Sequence, residues 1–340
     1  MKMNWKYDYY KLMITRLFKG RFLNRGDYNT MVAESTSCKN TLLNKLDYIL
    51  ANVAFGVQPG DYFIYELYKY RNPFYRNHNV NRTRLIFMRS RLNDQTSTDF
   101  LTSKPDFYNA YNEYLGRKWC CVDDVSEEEF IKRLSSANGH VFVKPIGGYG
   151  GEGARKVSAD ENELRKLYRE LSDSEDKYLV EEYYEQKGFF HDVNPSSLNT
   201  IRMITLKCDD KIELVYAFLR VGMADSIVDN LHSGGLSYVI DIKNGEILKG
   251  VNYRTNEVEI HPSTNTKVTG HIIPNWESVV DFTVKLHKMA PEGAHMIGWD
   301  ICVSDDEIIV IEGNASPAFL RDVRFSDNTW KKLGKAMSAI

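Results

Sequence analysis

Two carboxylates and one amide near the carboxyl-terminal end have the residue types of a magnesium site. Asp300 follows Ile-Gly-Trp in an apolar run, and the next apolar run ends in Glu-Gly-Asn, which contributes Glu312 and Asn314. Carboxylate and amide oxygens are ligands that Mg²⁺ takes, usually together with nucleotide phosphates. If the two runs pair as a β-hairpin, Asp300 lies opposite Glu312. The alternative is an acidic, turn-rich hairpin in water, which is how we interpret Asp305 and Asp306.

A glycine-rich loop between two short strands is the second feature with chemical potential. It covers residues 147–153, Gly-Gly-Tyr-Gly-Gly-Glu-Gly, and contains the spacing GxGxxG. A dinucleotide-binding loop needs a helix directly after it, whereas here the strand ARKVS follows, so the loop is predicted to close a β-hairpin. Such a loop can fold over phosphates and donate backbone N–H groups to them, and the alternative is a flexible hairpin tip. The candidate phosphate-binding residues of the loop are Gly148, Tyr149, Gly150, Gly151 and Gly153.

Lys144 lies in the strand before this loop, in the apolar sequence Val-Phe-Val-Lys-Pro. A lysine is costly to bury unless an anion pairs with it, and a phosphate would supply that negative charge. The alternative is a strand residue that faces outward into water. Together with the glycine loop, Lys144 favours a site for a nucleotide phosphate.

Length and composition exclude several classes of protein. The chain has 340 residues, and its 44 Lys plus Arg against 46 Asp plus Glu leave a net charge of −2. A net charge this close to zero produces no long-range electrostatic attraction for nucleic acid or anionic lipid, so we expect no nucleic-acid partner. A local basic patch is compatible with this net charge. The cysteines are too scattered for a disulfide framework, and no apolar run reaches the roughly 18 residues of a membrane helix. We therefore expect a cytoplasmic protein, with peripheral membrane contact of an amphipathic amino-terminal helix as the alternative to a docked helix.

Hydrophobic patterns divide the chain into a helical part and a mixed part. Residues 1–95 are predicted to be mostly helical, with a leucine stripe over 42–50. Their aromatic and basic stretch either binds a sugar or nucleic acid or packs against the rest of the protein. From about residue 100 helices alternate with short apolar strands, which predicts an α/β or α+β fold.

Taken in order, these motifs resemble the ATP-grasp superfamily. The resemblance rests on the strand with Lys144, the glycine hairpin, the YLVEEYY segment, and Asp300 with Glu312-x-Asn314. Four further segments are similar to the sugar-transfer-associated ATP-grasp family, whose α-L-glutamate-ligase-like genes tend to accompany bacterial surface-polysaccharide synthesis. They are SK-x-x-FY-x-x-Y-x-x-YLGR (103–117), NPSSLNTIR (194–202), VDN-x-HSGG (228–235) and IGWDI…IEGN (297–314).

The resemblance implies an ATP-grasp fold, in which two α+β subdomains clasp ATP. Residues 1–95 would form a helical amino-terminal region. Residues 96–180 would form the first subdomain with the glycine-rich lid, and residues 181–340 the subdomain with the Mg²⁺ site.

The resemblance also implies roles for residues around ATP. Two Mg²⁺ ions would be bound by Asp300, Glu312 and Asn314, and the α- and β-phosphates would be neutralised by Lys104 and Lys144. The adenosine would be bound by Glu181, Glu182, Tyr183 and Glu185.

Three residues are implied in the chemical step. Arg202 would stabilise an acyl phosphate, because a guanidinium presents a fork of donors to such oxygens, and Asn199 would assist it. The alternative for Arg202 is a solvent-facing strand residue. His232 would contact the substrate or act as a base.

The implied function is an ATP-dependent carboxylate–amine ligase that forms an amide through an acyl phosphate. Its substrates would be small molecules, an amino acid and a sugar carboxylate or glycan precursor such as a uronic acid. Two alternatives remain open: a kinase-like phosphoryl transfer to a small acceptor, and a non-catalytic nucleotide-binding subunit of polysaccharide assembly. The intact metal positions count against the second alternative, because a chain without catalysis could have replaced Glu312 or Asn314 without harm to the fold.

Overall fold

The computed structural model describes residues 5–18, 25–34, 38–78, 80–135, 139–147, 152–227, 229, 234–252, 257–305, 307–319 and 329–339. Over these residues the chain forms helices and two antiparallel sheets, in agreement with the predicted α+β class. No helix in this part of the chain is both long and apolar enough to cross a membrane.

The helices are α1 (Trp5–Phe18), α2 (Arg25–Glu34), α3 (Leu42–Phe55), α4 (Pro59–Ile64), α5 (Pro73–His78), α6 (Arg82–Leu92), α7 (Gln95–Thr102), α8 (Lys104–Ala110), α9 (Glu127–Leu134), α10 (Glu161–Ser172), α11 (Phe189–Val193), α12 (Trp276–Lys288) and α13 (Thr329–Ala339). Short 3₁₀ turns cover Asn112–Tyr114 and Val122–Asp124. The strands are β1 (Trp119–Cys121), β2 (His140–Pro145), β3 (Arg155–Ser158), β4 (Tyr178–Glu182), β5 (Thr200–Cys208), β6 (Lys211–Val221), β7 (Leu236–Ile240), β8 (Ile247–Asn252), β9 (Glu257–Val258), β10 (Met296–Val303) and β11 (Ile308–Asn314).

The amino-terminal helices contain an aromatic core of their own. Tyr28, Tyr48 and Tyr62 pack against one another. The Tyr62 hydroxyl donates to Asp47 at 2.8 Å, and Asp47 also pairs with Arg76 at 2.7 Å. These contacts agree with internal packing, one of the two interpretations of the aromatic and basic stretch. The predicted leucine stripe lies on the exposed face of α3.

The smaller sheet has the strand order β1-β4-β2-β3. Its strands β2 and β3 are antiparallel neighbours, so the glycine loop joins the two strands of a hairpin, as predicted. The helices α9 and α10 cover one face of the sheet with Phe130, Leu134 and Leu164. Ser126 caps α9 by accepting a hydrogen bond from the Glu129 N–H at 3.3 Å.

The larger sheet has the order β11-β10-β5-β6-β7-β8-β9 and is packed on both faces. Successive residues of a strand point to opposite sides of its sheet. Met203 of β5 therefore packs in one core with Val279 of α12, and Ile204 packs in the other core with Leu333 of α13. Burial on both faces explains why these strands are continuous apolar runs and do not alternate with polar residues.

The hairpin of β10 and β11 has the predicted pairing, with Asp300 opposite Glu312. The register shifts directly afterwards, so that Ile301 lies opposite Val310 and Ile311 has no partner. A β-bulge of this kind changes the direction in which side chains point. As a result, the neighbours Ile311 and Glu312 both line the cleft described below.

Gly313 lies in β11 between two residues that line the cleft, Glu312 and Asn314. It packs against α7 and α8 with no room for a side chain. A β-carbon at this position would lie 2.7 Å from Phe107 and 3.0 Å from Leu101. Both of these neighbours are buried core residues, so they have little space into which to withdraw.

We predict that Gly313→Ala lowers the free energy of unfolding by about 1–3 kcal/mol, because overpacking forces buried side chains out of their preferred rotamers. Urea unfolding of the whole chain measures this change. Gly60→Ala in α4 is the matched control. Its new β-carbon would come no closer than 3.9 Å to Met31, so we expect unchanged or higher stability. Equal stability of the two variants would contradict the close packing at Gly313.

Candidate active site

A cleft opens where the smaller sheet meets the central strands of the larger one. Its first cavity is a space of about 980 Å³ that is open to solvent, and charged residues of both sheets line it. Its second cavity, also open to solvent, measures about 1170 Å³ and lies between the helices α6–α8 and the end of β11. The residues that line both cavities, and so mark their junction, are Lys104, Lys144, Ile311 and Glu312.

Asp300 is the centre of a buried ionic cluster in the first cavity. Arg202 on the neighbouring strand donates two hydrogen bonds to it, one of them from Nη2 to Oδ2 at 3.0 Å. Arg220 donates from Nη1 to Asp300 at 2.5 Å and from Nη2 to Asp229 at 2.7 Å. Although burial opposes ionisation, the guanidinium groups of Arg202 and Arg220 hold the pKa of Asp300 well below its usual value. Asp300 is therefore ionised at neutral pH.

Glu312 is hydrogen-bonded to Asp300. Its side chain opens into the cleft, but protein surrounds it closely enough that desolvation, and then the charge of Asp300, raise the pKa of Glu312. A divalent cation between the two carboxyl groups would relieve their repulsion. The Asn314 amide donates to Glu312 at 3.2 Å, which adds an amide to the pair.

This donor set of two carboxylates and an amide fits Mg²⁺, which prefers oxygen ligands and shares them with phosphates. Among the described residues, no group of three or more His, Cys, Asp or Glu side chains is arranged as a metal site. A cation here would therefore depend on the amide oxygen of Asn314, on phosphate oxygens and on water in addition to the two carboxylates. The predicted Mg²⁺ site remains a prediction.

Glu181 is the centre of a second buried ionic cluster, at the other wall of the first cavity. Lys144 Nζ lies 2.6 Å from its Oε1, and Arg117 Nε donates to its Oε2 at 2.9 Å. The Tyr108 hydroxyl donates to the same Oε2 at 2.6 Å and accepts from Lys144 at 2.9 Å. Against the effect of burial, Arg117 and Lys144 hold the pKa of Glu181 at about 2. The carboxylate predicted to bind adenine is thus paired with the lysine predicted to bind phosphate.

Lys104 connects the helical wall to the start of the glycine loop. It is the first residue of α8, and its Nζ donates to the Ile146 carbonyl at 2.9 Å. Burial lowers the pKa of Lys104, while the nearby Glu312 carboxyl raises it. Its position at the junction of the two cavities is compatible with the predicted contact to phosphates.

Glu182, Tyr183 and Glu185 follow the Glu181 cluster along the chain and line a third cavity, outside the first. Tyr183 lines the first cavity as well, whereas the other two do not. The Glu182 N–H donates to the Lys118 carbonyl at 2.9 Å, and the Tyr183 N–H donates to the His140 carbonyl at 3.0 Å. Both N–H groups are therefore already bonded to residues at the smaller sheet. The structure therefore brings Tyr183, but not Glu182 or Glu185, to the first cavity.

Asn199 is buried and lines neither the first nor the second cavity. Its Nδ2 donates to the carbonyls of Phe190 and Asn194 at 2.7 and 2.8 Å. Its Oδ1 accepts from the Ser197 hydroxyl at 2.9 Å and from the Gly222 N–H at 3.3 Å. These bonds indicate that Asn199 fixes the segment before β5, and its predicted role beside Arg202 remains a prediction.

The glycine loop is described only at its two ends. Gly153 has a φ of +71°, and a β-carbon there would lie 2.9 Å from Pro145, so glycine is required where the chain returns toward β3. The other predicted loop residues and His232, predicted to contact the substrate or act as a base, lie outside the described residues. Their roles remain predictions: Gly148, Tyr149, Gly150, Gly151 and His232.

Three buried charged residues of the cleft were not among the predicted site residues. Arg220 lies within the apolar run ELVYAFLRV, and an arginine buried there requires an anionic partner. The arginine in this run could therefore have indicated a buried ion pair from the sequence. Arg117 ends the SK…YLGR segment, and Asp229 lies in the VDN segment. Their pairing with Glu181 and Arg220 depends on contacts between distant elements, which sequence spacing does not give.

We predict that Glu181→Gln lowers stability by about 3–5 kcal/mol at pH 7, because it leaves Lys144 and Arg117 buried without their anion. Acid unfolding gives a second signature. Ionised Glu181 stabilises the fold above its ordinary pKa of 4.5, and this contribution is lost as the pH falls toward about 2. The variant should therefore lose less stability than the wild type over that range.

The neighbouring Glu182→Gln is the matched control for this change. The Glu182 carboxylate accepts from the Lys118 N–H at 2.8 Å in a partly exposed position, so we expect an effect below about 1 kcal/mol. Equal losses at positions 181 and 182 would refute the special role of the buried cluster.

Comparison with known proteins places the chain in a family. A model of the sugar-transfer associated ATP-grasp family matches residues 120–324, which is more than half of the chain. No curated protein matches it. The match confirms the predicted family and fold class and agrees with the prediction of an ATP-grasp enzyme.

Among solved structures, the chain is similar to N5-carboxyaminoimidazole synthase from Aspergillus clavatus, with 11% identity and a TM-score of 0.40 over 67% of this chain and 48% of that one. It is also similar to D-alanine–D-alanine ligase from Coxiella burnetii, with 14% identity and a TM-score of 0.43 over 72% and 60% of the two chains. The D-alanine–D-alanine ligase from Bacillus anthracis is 15% identical to this chain, with a TM-score of 0.42 over 72% of this chain and 66% of that one. The chain thus spans about half the length of the first of these proteins. On the family match, this chain belongs to the sugar-transfer associated ATP-grasp family.

Proposed function

We propose that this protein is an ATP-dependent ligase that joins a carboxylate to an amine. The observation that carries the proposal is the junction of the two cavities at Lys104, Lys144 and Glu312. ATP in the first cavity would place its phosphates at this junction. A carboxylate substrate in the second cavity would then meet the γ-phosphate without leaving the cleft.

The charged residues of the junction suit phosphoryl transfer, which depends on positioning and on stabilisation of charge at the phosphate oxygens. Mg²⁺ held by Asp300, Glu312 and Asn314 would supply part of that charge. Lys104 and Lys144 would bind phosphate oxygens, and Lys144 would exchange part of its contact with Glu181 for them. In this structure Arg202 is directed to Asp300, whereas Arg220 lines the cavity and is the better placed of the two to contact an acyl phosphate.

In the proposed reaction, a carboxylate oxygen attacks the γ-phosphorus of ATP and ADP leaves. The acyl phosphate then reacts with an amine, which forms the amide and releases phosphate. The buried walls of the cleft would limit hydrolysis of this intermediate. An amino acid and a sugar carboxylate or glycan precursor are the proposed substrates, and a cytoplasmic location is proposed with them.

The first prediction of this proposal is the trapping of an acyl phosphate. We expect hydroxylamine in place of the amine to give a hydroxamate when Mg·ATP and a panel of amino acids and uronic acids are supplied, with one ADP formed for each hydroxamate. Mass detection identifies the acid that reacted. ADP together with a phosphorylated product that resists hydroxylamine would replace the ligase by a kinase, and nucleotide binding without turnover would favour a non-catalytic subunit.

The second prediction concerns the metal-binding carboxylates. Glu312→Gln should lower ADP release by at least about 100-fold, because it removes a negative charge that would bind the cation at the transferred phosphate. Glu277→Gln is the control, since Glu277 is exposed on α12 outside the cleft. ADP release by Glu312→Gln at the rate of this control would contradict the proposed metal site, provided that both variants unfold at the wild-type temperature.

A further inference from the structure

The second cavity has a positive wall that the groups proposed to bind ATP do not fully explain. Its cationic lining residues are Arg89, Lys104 and Lys144, against a single carboxylate, Glu312. Lys144 is already paired with Glu181, and Lys104 lies at the junction with the first cavity. Arg89 is the cation that lines the second cavity but not the first.

Arg89 differs from Arg84 and Arg91 on the same helix, because its side chain has no polar partner among the described residues. Arg84 is buried and donates to the carbonyls of Arg76 and Asn77 at 3.2 and 2.9 Å. Arg91 pairs with Asp8 at 3.1 Å. The Arg89 side chain, in contrast, is exposed and forms no hydrogen bond or ion pair with any residue that the structure describes. A guanidinium that lines a cavity and has no partner among the described residues is suited to an anionic ligand.

The rest of the lining is uncharged and combines apolar side chains, such as Leu101 and Ile146, with hydroxyl groups. Thr98 and Thr102 use their hydroxyl hydrogens within α7, on the carbonyls of Asp94 and Thr98 at 2.8 and 2.7 Å. Their oxygen atoms therefore remain as acceptors for hydroxyl groups of a ligand. Ser316, which also lines the cavity, adds a hydroxyl from the opposite side. This combination fits a ligand that carries hydroxyl groups and a negative charge.

We propose that Arg89 binds a second anionic group of the carboxylate substrate, a carboxylate or a phosphate, at the end away from the reacting carboxylate. The inference rests on the proposed function and adds a substrate class to it: polyhydroxylated acids with a second negative charge. Arg89 lies on α6, outside the segment 120–324 that the family model matches. The amino-terminal helices of this chain would thus determine which acid is accepted.

Binding of dianionic sugar acids to the protein saturated with Mg·ADP tests this inference. The calorimetric probes are glucarate, with two carboxylates, glucuronate 1-phosphate, with a carboxylate and a phosphate, and gluconate, with one carboxylate. We expect one of the two dianions to bind more tightly than gluconate, and the dianion that binds identifies the second group. Failure of both to bind at about 10 mM would overturn the inference.

Arg89→Gln should weaken binding of that dianion by roughly tenfold to hundredfold, because a charge-assisted bidentate contact is lost. The affinity of Arg89→Lys for the dianion should lie between those of Arg89→Gln and the wild type, because lysine keeps the positive charge and loses the bidentate guanidinium. Arg82→Gln is the matched control, since Arg82 is exposed on the same helix but does not line the cavity. Equal dianion affinity of Arg89→Gln and Arg82→Gln would overturn the inference.

The binding experiment tests the anion site and the hydroxylamine assay tests the ligase, so either proposal can be refuted without the other. Hydroxamate formation with the same KM for the acid in Arg89→Gln and wild type would leave the ligase in place and remove the role of Arg89. Loss of dianion binding in Arg89→Gln without any hydroxamate in the wild type would support the anion site and refute the ligase.

Discussion

Burial of paired charges is the constraint on which the rest of this structure depends. Asp300 lies in the interior with Arg202 and Arg220, and Arg220 continues to Asp229. Each of these charges would be costly to bury alone, so each depends on its neighbours for stability. The four residues come from β5, β6, β10 and the segment after β6. The central strands must therefore keep their register for the cluster to form, and that register determines the shape of the cleft.

The same constraint organises the opposite wall, where Glu181 joins Lys144, Arg117 and Tyr108. Lys144 comes from β2, whereas Arg117 and Tyr108 come from the chain before β1. In this structure, the proposed phosphate-binding lysine and the proposed metal-binding carboxylate both have protein partners. Binding of Mg·ATP would consequently be an exchange of ionic partners, and it would avoid leaving bare charges in the cleft at any stage.

Much of this arrangement could be predicted from the sequence, because it depends on local patterns. The pairing of Asp300 with Glu312 follows from two apolar runs around a short acidic turn, and the hairpin at Lys144 follows from glycines between two strands. Other features depend on tertiary contacts that no local pattern encodes. The ionic partners of Glu181, the burial of Asn199 and the second cavity with Arg89 all require elements that are distant in sequence to meet. The three-part division at residues 95 and 180 remains a prediction.

The β-bulge at Ile311 limits how the length of the chain can vary. On one side of the bulge the alternation of β11 serves the core, and on the other side it directs Glu312 toward the cleft. Removal of one residue beyond the bulge, such as Gly313, would restore regular pairing with Ile311 opposite Asp300. Glu312 would then turn to the other face of the sheet, because a shift of one residue reverses the faces of a strand. Many substitutions in β11 would leave the path of the backbone intact. We therefore expect related chains to vary in residue type along β11 while keeping its number of residues constant.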